Sequence, residues 1–75
     1  MMTDYLASLY LGSETPLRIA NPSPEETQRI EDMLKRKRTF TVQAHIAGAE
    51  RTITINGAAV PWWSIDAGDY FTGIM

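Results

Sequence analysis

The stretch RTFTVQAHIAGAERTITINGAAVPWW, residues 38–63, decides the fold. Phe40, Val42, Ala44 and Ile46 alternate there with Thr39, Thr41, Gln43 and His45. Side chains of a strand point to opposite faces in turn, so this pattern predicts a half-buried strand. Gly48-Ala49 follows and predicts a two-residue hairpin turn, because glycine adopts the positive φ such turns need. Closed there, the turn sets Ile46 opposite Arg51, Ala44 opposite Ile53 and Val42 opposite Ile55. Both apolar sets then share one face, and a slip of one residue would separate them.

Asn56-Gly57 predicts a second hairpin of type I′, since both residues tolerate positive φ. It pairs Ile55 with Ala58, Ile53 with Val60 and Arg51 with Trp62. Pro61 has no N–H for a ladder, which makes this third strand an edge. The expectation is a three-stranded antiparallel meander with one apolar face.

Working outward, the segment before the meander predicts a helix over residues 24–36. Ser23 fits the N-cap, Pro24 the first helical position and Glu26 the third, a capping box with proline at N1. Glu25-Arg29, Glu31-Lys35 and Asp32-Arg36 are acid-to-base pairs at i,i+4 spacing. Ile30, Met33 and Leu34, flanked by Thr27 and Lys37, make a stripe for the meander's apolar face. Nearer the N-terminus, Thr3 caps an expected short helix over residues 4–11, with Leu6, Leu9 and Tyr10 on one face and Gly12 ending it. Residues 12–24 read as a loop in which Leu17 and Ile19 add a short edge strand between Pro16 and Pro22. Beyond the meander, Ser64 caps a short turn, Gly68 and Gly73 limit any long helix, and the remaining tail is apolar. The fold class is therefore α+β: two short helices packed on one face of a small antiparallel β-meander of about three strands, in a single domain.

Size and composition bound the function. A chain of 75 residues buries a small core, and without cysteine it has neither disulfides nor thiolate metal ligands to stabilise it. A formal charge of -2 opposes a strongly cationic nucleic-acid binder. The apolar run at residues 5–11 is too short for a membrane span, and no basic segment precedes it as in a signal peptide. A cytoplasmic setting and no membrane contact are expected.

Chemistry is sparse. His45 is expected on the outer, threonine-rich face without the nucleophile and orienting group a catalytic base needs. Asp66 and Asp69 lie three apart, but DAGD does not supply the ligand series of a calcium loop and reads as turn chemistry. No catalytic residue, metal ligand or cofactor is expected, and the chain is not expected to be an enzyme.

Two features remain. The basic run Lys35, Arg36, Lys37 and Arg38 complements the helix C-terminus, and it is also the footprint of a site for nucleic acid or an acidic partner. Trp62, Trp63, Tyr70 and Phe71 crowd together after Pro61, and tryptophan is enriched at the centres of protein interfaces. On the meander register Trp62 faces the core opposite Arg51, and Trp63 faces outward. The leading expectation is a non-enzymatic interaction module that grips a larger protein or ribonucleoprotein complex through Pro61, Trp62, Trp63, Tyr70 and Phe71. By analogy of size and type, it is a phage or mobile-element protein that inhibits a host complex, such as a CRISPR effector, by occlusion. The alternatives are a small nucleic-acid-binding protein using residues 35–38 and a homo-oligomeric structural protein, a homodimer being its simplest form.

Overall fold

The computed structural model describes residues 3–71, and within them the side chains of residues 6–67. Five strands form one antiparallel sheet: β1 (Thr3–Leu11), β2 (Leu17–Ile19), β3 (Thr39–Ile46), β4 (Ala49–Asn56) and β5 (Trp63–Phe71). Their order across the sheet is β4-β3-β2-β1-β5. One helix, α1 (Pro24–Lys35), joins β2 to β3 and lies on one face. Among the described residues the architecture is α+β, with one helix where two were expected and five strands where about three were.

The correction begins at the N-terminus. The segment expected as a helix over residues 4–11 is strand β1, paired with β5 from Thr3↔Phe71 to Leu11↔Trp63. Ala7 and Leu9 are buried and Leu11 is packed against the core, whereas Leu6 is 43% exposed. The buried positions alternate, and the Leu6-Leu9-Tyr10 stripe that suggested a helix does not stay together. Gly12 does end the element, with φ of 74°. A Cβ there would sit 2.7 Å from Pro61 Cγ, so the β1–β2 turn closes directly on that proline.

The short strand Leu17–Ile19 forms, at the centre of the sheet rather than its edge. It bridges β1 through Leu9↔Leu17 and β3 through Ile19↔Ala44. At three residues it is too short to cover the flank of β3. Ala20 N–H continues the ladder by donating to Gln43 C=O at 2.8 Å. Beyond it, Arg29 Nη2 donates to Thr41 C=O at 2.9 Å, so a helix side chain satisfies the carbonyl that a longer strand would have reached.

Helix α1 starts where its signals place it, and of the three expected i,i+4 pairs only Asp32–Arg36 is an ion pair among the described residues. Ser23 Oγ accepts from Glu26 N–H at 3.1 Å, and Pro24 opens the first turn. Ile30 and Leu34 are buried against Phe40, Val42 and Ile55, and Met33 packs beside them. Arg29 pairs with Glu26 at 2.7 Å, three residues back, instead of with Glu25. The helix ends at Arg36 with Lys37 at φ 57°, while Lys37 N–H donates to Leu34 C=O and Arg38 N–H to Met33 C=O. That is a Schellman closure with lysine where glycine is usual.

The β3–β4 hairpin also forms, two residues out of the expected register. Its turn is Ala47-Gly48, with φ of 53° and 81°, instead of Gly48-Ala49. Phe40 therefore faces Ile55, Val42 faces Ile53 and Ala44 faces Arg51. A shift by two preserves which face each residue takes, so the apolar set is unchanged.

The second hairpin does not form. Asn56 Oδ1 instead accepts from Ala58 N–H at 3.2 Å and caps a single 3₁₀ turn, Gly57–Ala59. Gly57 N–H donates to Arg38 C=O at 2.9 Å, which ties this turn to the exit of α1. The chain then crosses to the opposite edge of the sheet. Residues expected as a capped turn after Ser64 are strand β5, which brings Trp63 and Ile65 against the core.

Candidate functional site

One face of the sheet carries α1, and the other carries no element among the described residues. The uncovered face presents Thr39, Thr41, Gln43, His45, Glu50, Thr52 and Thr54, all exposed. Gln43 Nε2 donates to Thr52 Oγ1 at 2.8 Å across β3 and β4. Register aligns Asp66, Ser8, Arg18, His45 and Glu50 in one row across all five strands. This row holds an acid, a hydroxyl, a base and two further charges. Neighbouring strands lie about 4.8 Å apart, so Ser8 and His45, two strands removed, are about 10 Å apart at the backbone. A nucleophile and its base need a hydrogen bond of about 3 Å. The row is a solvated polar stripe.

The helix-bearing face is different. Helix α1 packs on β3, β5 and the 3₁₀ turn, and it leaves the end of the sheet near the β1–β2 and β3–β4 turns uncovered. An open groove of about 530 Å³ lies there, with Leu9, Leu11, Pro16, Leu17, Ile46 and Ile53 on its walls and no residue of α1. Leu11, Leu17 and Ile53 are half-buried and Ile46 is 37% exposed. Each is an inward-facing residue of its strand, so the groove is an unroofed extension of the core.

Pro61 and Trp62 border the same end. Leu11 is both a wall of the groove and the register partner of Trp63. Trp63 is half-buried in the core and Trp62 is 49% exposed, the reverse of the sequence expectation. The reversal follows from the lost second hairpin, because Trp63 is the first residue of a strand whose odd-numbered positions turn inward. The expected Trp62–Arg51 neighbourhood is absent for the same reason: β4 and β5 are opposite edges of the sheet. Tyr70 and Phe71 continue β5 opposite Asp4 and Thr3 in the backbone ladder, and their side chains lie outside the described residues. Of the expected contact residues, Pro61 and Trp62 are exposed and Trp63 is largely internal.

The basic run sits where α1 gives way to β3. Lys35, Arg36, Lys37 and Arg38 are all exposed. Arg36 pairs with Asp32 at 3.2 Å, and Lys35, Lys37 and Arg38 have no ion pair among the described residues. The groove was not visible from residue types alone. Its signal was Pro16-Leu17, read as loop and edge strand, beside the Ile46 end of a strand, read as core.

No group of three or more histidine, cysteine, aspartate or glutamate residues converges as a metal site among the described residues. No helix among them is long and apolar enough to cross a membrane. Comparison with known proteins returned no matching family model, no matching curated protein and no matching solved structure.

Proposed function

We propose that this chain is a non-enzymatic interaction protein whose partner is a larger protein, gripped at the unroofed apolar groove and the adjoining Pro61–Trp62 corner. The observation that carries the reading is the groove itself. Apolar side chains on four strands leave their core face open to water beside a half-exposed tryptophan, in a domain with little core to spare. Apolar side chains open to water beside a half-exposed tryptophan are surface that a partner would cover, and tryptophan is among the residues that dominate interface energetics. Occlusion of a host complex extends this reading and rests on size and type alone.

Affinity capture from the native host with quantitative mass spectrometry tests it. One protein or complex is expected to be retained by the wild-type chain and lost with Ile46→Asp or Trp62→Ala. Equal retention by the wild type and both variants overturns the reading.

A second reading has its own observation: Lys35, Lys37 and Arg38 are exposed cations without an ion pair among the described residues. It takes nucleic-acid phosphate as their ligand. Affinity for a nucleic acid would then fall steeply with salt and vanish in the Lys35→Glu, Lys37→Glu, Arg38→Glu variant, with Trp62→Ala having no effect.

A further inference from the structure

The order β4-β3-β2-β1-β5 leaves one side of β4 without a strand neighbour among the described residues. Two bonds on the other side of the hairpin show which backbone groups face outward. Gln43 C=O accepts from Ala20, and Thr41 C=O accepts from Arg29, both on the β2 flank of β3. Alternate residues of a strand turn their N–H and C=O to opposite sides. Phe40, Val42 and Ala44 therefore bond toward β4, and their register partners Ile55, Ile53 and Arg51 bond back. Glu50, Thr52 and Thr54 are left with backbone N–H and C=O aimed at the open edge.

Edge strands are usually blunted by shortness, proline, lysine, a bulge or an inward-pointing charge. Strand β4 runs eight residues in unbroken register, without proline or lysine. Its one charge on the core side is Arg51, exposed and with no side-chain hydrogen bond or ion pair among the described residues. Beside it on that face is Ile53, a wall of the groove. Open backbone groups beside an apolar recess are the two elements of strand addition. The backbone supplies affinity and the recess selects alternate side chains.

We infer, resting on the interaction-protein reading above, that the partner's contacting segment is an extended strand pairing antiparallel with β4. It carries an acidic side chain opposite Arg51 and apolar side chains opposite Ile53 and Ile55. These three positions fall in the pairs without mutual hydrogen bonds, where side chains approach closest. An acid there gives the guanidinium a charge-assisted partner, whereas an all-apolar strand leaves it covered and unpaired. Arg51 thus selects among strands that the edge would otherwise accept alike. A second copy of β4 fits worse. Twofold pairing sets core-side residues against core-side residues, so Arg51 meets alanine, arginine or isoleucine and never an acid.

A display library of random decapeptides, panned against the full chain, tests the inference. The enriched peptides are expected to alternate apolar residues, with aspartate or glutamate at one position in the same phase. Binding is expected to slow exchange of the Thr52 and Thr54 amides. Thr54→Pro removes an edge donor and no β3–β4 bond, and is expected to weaken binding about tenfold or more. Arg51→Glu is expected to convert the acidic preference into a basic one. Continued protection of the Ile53 and Ile55 amides checks that the Thr54→Pro hairpin is intact; if that variant fails to fold, the charge reversal decides. Peptides without alternation, affinity indifferent to both substitutions, or no enrichment at all overturns the inference. So does a wild-type dimer that Thr54→Pro dissociates, since the edge would then serve a second copy. A host protein lost with Ile46→Asp but retained by Thr54→Pro and Arg51→Glu overturns strand addition and leaves the interaction reading standing.

Discussion

Gly57 lies against Arg38 so closely that a Cβ on the glycine would stand 2.5 Å from the arginine carbonyl oxygen that its own N–H bonds. Gly57 is needed here for close approach, since its φ is not among the positive values. Gly57→Ala must push the 3₁₀ turn away from the end of α1. Chemical denaturation is expected to show a loss of about 1–3 kcal/mol, the usual cost of forcing extra volume into a packed site. An unchanged midpoint would contradict the placement of this contact.

Lys37 makes the opposite case. It occupies the left-handed region at the helix terminus, where a side chain costs about 1–2 kcal/mol and glycine costs only backbone entropy of about 0.5–1 kcal/mol. Lys37→Gly is expected to raise stability by up to about 1 kcal/mol. Thermal unfolding at fixed salt measures it.

The two tryptophans separate cleanly. Trp63 packs on the core and Trp62 is half-exposed. Trp63→Ala is expected to destabilise by about 2–4 kcal/mol, somewhat under the cost of a fully buried aromatic. Trp62→Ala should stay within about 0.5 kcal/mol, as exposed substitutions do. Equal losses at both positions would place the β5 register in error.

Glu26 gives a dependence on pH. Its hydrogen bond to Arg29 holds the carboxyl below the ordinary 4.5, against a smaller opposing effect of burial. The unfolded chain thus takes up the proton first as pH falls, and the stabilisation present above 4.5 is lost as pH drops through the lowered folded value. The pair is partly exposed, so the contribution is under about 1 kcal/mol. Glu26→Gln is expected to be less stable than wild type at neutral pH and equal to it in acid; a constant gap across the titration would exclude this coupling.

Local chemistry was legible in the sequence, and long-range pairing was not. Ser23, Pro24 and Glu26 fix the start of α1 among themselves, and the alternation of β3 needs no partner to be read. The hairpin register slipped because parity is blind to a shift of two, and glycine was placed first in a turn where Ala47 takes the positive φ. Asn56-Gly57 serves equally as a hairpin turn and as the cap and close-approach pair found here. Only contact with Arg38, far back in sequence, decides between them. Leu6, Leu9 and Tyr10 make a helical stripe while Ala7, Leu9 and Leu11 make a strand face, and Thr3–Leu11 is a strand because β5 lies beside it. Trp63, Ile65 and Ala67 alternate with Ser64 and Asp66 as regularly as β3 does, and that signal was hidden behind the expected meander. The exposed groove followed from where α1 stops, which no residue type announces.

The ladder that joins Thr3 to Phe71 also sets a timetable. The β3–β4 hairpin closes on two residues and α1 nucleates within its own turns, so both assemble from neighbours. Strand β1 must hold its flank open until β5 arrives from the far end of the chain. Proteins whose sheets depend on such distant pairings fold slowly for their size, on the scale of milliseconds to seconds. During that interval Leu9 and Leu11 stand at an unfinished border, and a chain halted before Trp63 has no means of closing it.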